Sequence, residues 1–303
     1  MSRAFPSKFW AAMRTWGEMV KFSHSVFALP FALVAAFLAG RSLPGGLPTL
    51  WHVVLIVWCM VSARSFAMTF NRIADAALDV RNPRTAMRPI PAGLISIARA
   101  WMFTVTFAML FICGCAGFRV LFANHWPLLL SIPTLLAMAA YSYCKRFTAL
   151  SHFVLGAVIA FAPTASWMAI HPESLGWSTI ILSGAVFTWI AGFDLIYACQ
   201  DVGVDRTGGL FSIPARFGIA FALSLSRVCH LVSLTCLIML GRLESFGWLY
   251  WIGVATTGSL LAVEQSIVRP QNLSRVNLAF FTLNGVVSLV FAGAAIGDIL
   301  MRR

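Results

Sequence analysis

Five of the ten acidic residues in this chain fall into two short stripes at helical spacing, Asp75 and Asp79, then Asp194, Asp201 and Asp205. In Asn71-Arg-Ile-Ala-Asp75-Ala-Ala-Leu-Asp79 the polar side chains recur at i, i+4 and i+8, a stripe drifting only about 40° per step on a helix of 3.6 residues per turn. Asp194, Tyr197, Asp201 and Asp205 draw a second stripe at i, i+3, i+7 and i+11. Two facing carboxylate stripes repel unless a cation lies between them. Asp and Asn oxygens are hard donors of the kind Mg²⁺ prefers, commonly completed by water and substrate phosphate. Arg72, Arg81, Arg84 and Arg88 stand beside the first stripe, and guanidinium forks grip phosphate oxygens in pairs. Carboxylates, an inferred Mg²⁺ and adjacent arginines together describe a diphosphate site.

The elements that must carry these stripes are membrane helices. The chain is 60% apolar and 11% charged, far from the roughly 25% charge of a soluble domain. Nine apolar spans are expected near 24–40, 51–74, 99–122, 126–143, 150–170, 177–200, 216–240, 246–264 and 276–300, most of them close to the ~20 residues that cross a bilayer. Lipid cannot satisfy an open backbone, so each must be helical. The fold class is therefore all-α, a polytopic protein whose residues 1–303 form a single membrane domain around a central cavity. The stripes close spans two and six, 126 residues apart, which suggests two similar halves. An ionisable residue in or beside a membrane span is costly and marks a functional site by default.

The net charge of +12 follows loops rather than a nucleic-acid face. With the N-terminus in the cytoplasm, sixteen of the 22 Lys and Arg residues fall on the cytoplasmic side, an asymmetry that fits the positive-inside rule and places both stripes at that surface. The arginines beside the first stripe satisfy the same rule, so charge alone does not separate a topological role from a phosphate-binding one. No cleavage-site pattern of small residues follows the first span, which is expected to be retained. The seven cysteines have no metal-ligand spacing and are expected to behave as small buried apolar residues.

A diphosphate held where a lipid tail can enter the bilayer points to a polyprenyl diphosphate. Mg²⁺ would favour ionisation of the allylic C–O bond, and aromatic faces can stabilise the cation left behind. Phe70, Tyr141, Tyr143, Trp189, Phe193 and Tyr197 lie near the span ends.

These residues resemble a known family. Asn71–Asp79 looks like the NxxxDxxxD motif of the UbiA-type intramembrane aromatic prenyltransferases, and it continues as Asn82-Pro-Arg-Thr-Ala-Met-Arg88-Pro-Ile-Pro-Ala-Gly93, similar to that family's NPRT…RP.P.G loop. The span-six stripe resembles the second motif, DxxYxxxDxxxD, and Tyr143-Cys-Lys145-Arg146-Phe-Thr148 resembles the basic YxKRxT element after helix four. The resemblance implies a nine-helix fold in which Asn71, Asp75, Asp201 and Asp205 surround Mg²⁺, supported by Asp79 and Asp194. It implies that Arg84, Arg88, Lys145 and Arg146 hold diphosphate, with Arg72 beside them. Where relatives follow the second motif with lysines, this chain has Arg206-Thr-Gly-Gly-Leu-Phe before Ser212; either Arg206 substitutes for a lysine or the diphosphate leans on the first loop. Ser212-Ile-Pro-Ala-Arg216-Phe-Gly218 and Lys21-Phe-Ser-His24-Ser-Val-Phe-Ala-Leu-Pro30 look more like the menaquinone branch associated with the futalosine route than the ubiquinone branch.

The implied partners are a polyprenyl diphosphate, a hydroxylated aromatic carboxylate (4-hydroxybenzoate or dihydroxynaphthoate) and the cytoplasmic membrane, with no nucleic acid. The acceptor carboxylate needs a cation, and Arg64, two turns before Asn71 on the same face, can supply it or pack on helix carbonyls. Tyr197 is a second acceptor-side candidate; His24 is expected to close a span start and Asp298 to be interfacial. A cation-coupled transporter would place its carboxylates near the midplane, whereas these lie at loop ends beside arginines. A haem or chlorophyll-precursor prenyltransferase is a closer rival, although no haem-ligating histidine pair stands out among the six histidines. The tight DG-containing motif of a CDP-alcohol phosphotransferase is absent.

Overall fold

Helices, as the bilayer constraint demands, carry the regular structure of the described residues. The computed structural model describes residues 15–17, 19 and 27–302; Lys21, His24, the N-terminal basic residues and the start of the first expected span lie outside them. The described residues contain no β-strand. In chain order the long helices are α1 (Leu29–Gly40), α2 (Leu50–Ala74), then, after the short α3 (Ala76–Asp79), α4 (Ile97–Phe122), α5 (Trp126–Tyr141), α6 (Ser151–Ile170) and α7 (Trp177–Ala198). The short α8 (Val202–Thr207) and α9 (Ile213–Phe217) lead to α10 (Ile219–Leu243), α11 (Trp248–Ile267) and α12 (Asn284–Met301), the last preceded by a π-helical turn, Leu278–Leu283.

Nine long helices thus match the nine expected intervals among the described residues, but seven are both long and apolar enough to cross a membrane. The described part of the first, α1, has 12 residues. In α11, Gly, Thr, Ser, Glu264 and Gln265 dilute the apolar run. The chain is an integral membrane protein.

Capping residues place the helix starts. Thr49 accepts the His52 N–H while the His52 ring accepts the Thr49 N–H, closing a capping box on α2; Ser96 and Ser212 cap α4 and α9. Asp298, at the last turn of α12, is buried within the protein, and its carboxylate accepts the Gly247 N–H at 2.8 Å, supplying from α12 a cap that Gly247 cannot give α11.

The helix α7 is central: 61% of its apolar window is buried inside the protein, against 22% for α4, whose outer face meets lipid. It packs on α6 and α10, while α2 packs on α4 and α11 on α12. Close approach of α6 to α7 depends on Gly156, where a Cβ would come within 2.5 Å of the Phe187 carbonyl oxygen. Of the cysteines, Cys113 is exposed rather than buried, and Cys59 and Cys236 are half-buried. Lipid is as apolar as a core, so an outward thiol there costs little.

Candidate active site

One cavity of about 420 Å³ opens between the helices, and both acidic stripes stand on its wall. Neither stripe runs on an unbroken α-helix. The first passes from α2 into α3 through Asp75, whose backbone (φ −96°, ψ 3°) interrupts the helix while its N–H still bonds the Asn71 carbonyl. The second passes from α7 through a 3₁₀ turn, Cys199–Asp201, into α8. Helix ends leave carbonyls without partners, and the Arg146 guanidinium takes that of Ala74 at 2.6 Å.

Arginines pair with the carboxylates of both stripes. The loop after the first stripe reaches across to the second, where Arg84 donates from Nε and Nη2 to the two oxygens of Asp201 at 3.0 and 2.6 Å, the paired geometry suited to a carboxylate. Its Nη1 donates to the Tyr197 hydroxyl at 2.7 Å, and the guanidinium lies 5.1 Å from that ring's centre. Asn82, in the same loop, also donates to Asp201. Arg88 donates to both oxygens of Asp79 at 2.7 and 2.9 Å, and Arg146 pairs with Asp75 at 3.2 Å. Asn71 donates to Asp75. Burial and then the neighbouring Asp79 charge push the Asp75 carboxyl above its ordinary range, against the pull of Arg146, Lys145 and Arg72.

Lys145 lies on the wall in the field of Asp205, Asp194, Asp201 and Asp75. Arg72 is buried and also borders the cavity. Arg206 does not: it projects from α8 and donates to the Ala215 carbonyl, so the first loop and the Lys145–Arg146 turn supply the bases around the cavity. Deeper in, Arg64 borders the same cavity, as does Tyr141, and the Arg64 Nε is buried and without a hydrogen-bond partner. Around it the wall turns apolar, with Phe111, Phe118, Met138, Leu155 and Phe161.

Three contributors had no distinct sequence signal. His152 is fully buried on α6 and contacts Asp194 from Nδ1 at 2.7 Å. Its Nε2 accepts the Ile213 N–H, so the proton sits on Nδ1 and is donated to Asp194. Ser212 donates to Asp205 at 2.7 Å while capping α9. Phe280, from the π-helical turn, adds an aromatic surface to the cavity.

The oxygen set of Asn71, Asp75, Asp79, Asp194, Asp201 and Asp205 is suited to a hard divalent cation. Among the described residues no three acidic, His or Cys side chains are drawn together tightly enough to hold a metal by themselves. Mg²⁺ needs no such cage, because one or two carboxylates with phosphate oxygens and water suffice. Residue chemistry and site shape therefore fit a metal–diphosphate pair better than a bare ion.

Comparison with known proteins agrees with this arrangement. The sequence profile of the UbiA prenyltransferase family matches residues 28–286. A 4-hydroxybenzoate octaprenyltransferase of Xanthomonas euvesicatoria is 30% identical over 254 residues, 83% of this chain and 81% of that protein; one from Aliivibrio fischeri is 30% identical over 86% of each chain. Among solved structures, the apo UbiA homolog from Aeropyrum pernix superposes with a TM-score of 0.80 at 30% identity, covering 91% of this chain and 98% of that one. The Archaeoglobus fulgidus UbiA homolog bound to GPP and Mg²⁺ shares the fold, with a TM-score of 0.70 at 18% identity over 94% of this chain and 99% of that one.

Proposed function

Because this chain belongs to the UbiA prenyltransferase family, we propose that it transfers a polyprenyl group from its diphosphate to the ring of a hydroxylated aromatic carboxylate, 4-hydroxybenzoate or dihydroxynaphthoate, on the route to a membrane quinone. The observation that carries this reading is the cavity joining an arginine–carboxylate cluster at the loop ends to Arg64, whose Nε is buried and unpartnered, and to an apolar wall. A diphosphate suits the first part, an aromatic carboxylate the second, and a polyprenyl chain the third. A transporter would have no use for four bases grouped beside the carboxylates.

Arg84, Arg88, Lys145 and Arg146 would hold the diphosphate, beside the Asp201, Asp79 and Asp75 carboxylates that the three arginines also contact. Asn71, Asp75, Asp201 and Asp205 would then hold Mg²⁺, which supplies charge to offset that building on the leaving diphosphate. Asp79 and Asp194 support this set. Arg64 fixes the acceptor carboxylate, and Tyr197 stands between the two substrates with its hydroxyl on Arg84. The allylic C–O bond breaks, the ring carbon ortho to the phenolic hydroxyl forms the new C–C bond, and the ring proton leaves to restore aromaticity. The apolar wall disfavours water beside the cation. In this reading the N-terminus and the site face the cytoplasm, which the distribution of basic residues supports.

The test is prenyl transfer in membranes containing the protein, with labelled polyprenyl diphosphate, Mg²⁺ and both acceptors offered side by side. A ring-prenylated product, lost on chelation, is expected, and its identity names the acceptor. No product from either acceptor would overturn the reading.

A further inference from the structure

The second half of the bundle buries a polar network that the proposed chemistry does not use. Glu264 on α11 and Asn284 at the start of α12 are both fully buried. Asn284 donates to Glu264 Oε1 at 2.8 Å and to the Ala279 carbonyl at 3.0 Å, and it accepts the Trp189 indole N–H at 2.7 Å. An indole nitrogen only donates, so the orientation of the amide is determined and all of its hydrogen-bonding groups are engaged. Glu264 Oε2 has no hydrogen-bond partner, and His230 Nδ1 stands 4.0 Å from it. A carboxyl buried in a membrane protein this way is expensive and calls for a role.

Its position supplies one. Ala279 lies inside the π-helical turn Leu278–Leu283. A π turn breaks the regular i→i+4 ladder and occurs frequently at functional sites; here the Asn284 side chain bonds a carbonyl within it. The wider turn brings two consecutive residues to one ring: Phe280 lies 4.2 Å from the Tyr197 ring at 32°, and Phe281 lies 5.9 Å from it edge-on. Phe280 also meets Phe193 edge-on at 5.0 Å, and Phe193 meets Trp189 in the same way at 5.1 Å. Phe280, Phe193 and Tyr197 all border the cavity, and Tyr197 carries the hydroxyl that holds Arg84 on Asp201.

We propose that Asn284, anchored by Glu264, is a positioning residue that holds the π turn open, and that the Phe280 ring it presents shields the allylic cation from water beside the diphosphate. This rests on the prenyl-transfer reading. The cation has two fates: attack by the acceptor ring, forming a C–C bond with loss of the ring proton, or attack by water, forming prenyl alcohol with loss of a water proton. Diphosphate leaves in both. A wall of aromatic rings favours the first by excluding water and stabilising charge. The ratio of prenyl alcohol to ring product therefore reports on the wall, which a purely structural role would leave unchanged.

The experiment measures that ratio for wild type, Phe280→Leu, Asn284→Ala, Glu264→Leu and Glu264→Gln, purified in detergent and checked for monodispersity. Phe280→Leu, Asn284→Ala and Glu264→Leu are expected to raise the alcohol share by roughly threefold to thirtyfold, the span of one cation–aromatic contact. Glu264→Gln keeps an oxygen acceptor for Asn284 and is expected to stay near wild type. Phe280→Leu alone decides the wall's role if the network variants do not fold. An unchanged ratio in Phe280→Leu, or in well-folded Asn284→Ala, overturns the inference while leaving prenyl transfer intact. A wild type that makes no ring product overturns the proposed function, and this inference with it.

Discussion

Arg64 offers the sharpest test of how the acceptor is held. Its Nε is buried and unpartnered, and no ion pair to it exists among the described residues. Removing it therefore strands no carboxylate among the described residues, and Arg64→Ala is expected to fold. Truncating one partner of a buried, hydrogen-bonded charge pair costs about 2–5 kcal/mol. The guanidinium faces a cavity rather than a dry core, so the lower part, about 2–3 kcal/mol, applies; at 1.4 kcal/mol per tenfold this is a loss of about 30- to 150-fold in acceptor kcat/KM. The donor parameters are expected to hold, because Arg84, Arg88, Lys145 and Arg146 lie at the other part of the cavity. The assay titrates each substrate at saturating levels of the other, then repeats the measurement with an acceptor lacking the carboxylate. Wild type is expected to lose a similar factor with that analogue, and Arg64→Ala to lose little more. Equal effects on donor and acceptor, or a full further loss with the analogue, would refute the assignment and return Arg64 to packing.

Other outcomes follow from the same geometry. Asp75→Asn and Asp201→Asn are each expected to abolish turnover in folded, membrane-resident protein; normal turnover in both would remove the metal-site reading. Arg84→Lys keeps the charge but loses the paired grip on Asp201 and the Tyr197 contact, so the donor KM measured with labelled diphosphate should rise roughly tenfold. His152→Ala removes the donor to Asp194 and the acceptor of the Ile213 N–H, and thermal unfolding in detergent should show a loss of about 2–4 kcal/mol. In Gly156→Ala the new methyl group meets a backbone carbonyl that cannot swing aside, for a cost of about 1–3 kcal/mol. Gly293→Ala, with open space around it, should leave the melting temperature unchanged or higher.

The sequence by itself determined the membrane class, the approximate positions of nine helices, the two acidic stripes and the bases beside them. These are properties of local periodicity and hydropathy, which a bilayer enforces without reference to distant residues. Even there, the straight helical stripes expected at Asp75 and Asp201 are broken by a helix end and a 3₁₀ turn, because spacing does not reveal where a carbonyl will find an arginine. Only the tertiary structure decided that Arg84 closes on Asp201, 117 residues away, while Arg206, the base that directly follows the second stripe, turns to Ala215 instead. The same holds for His152 beneath Asp194, Asp298 capping α11, and Asn284 bracing a π turn. Each of these side chains meets a group that another helix leaves unsatisfied, and such partners become defined only when the helices have packed.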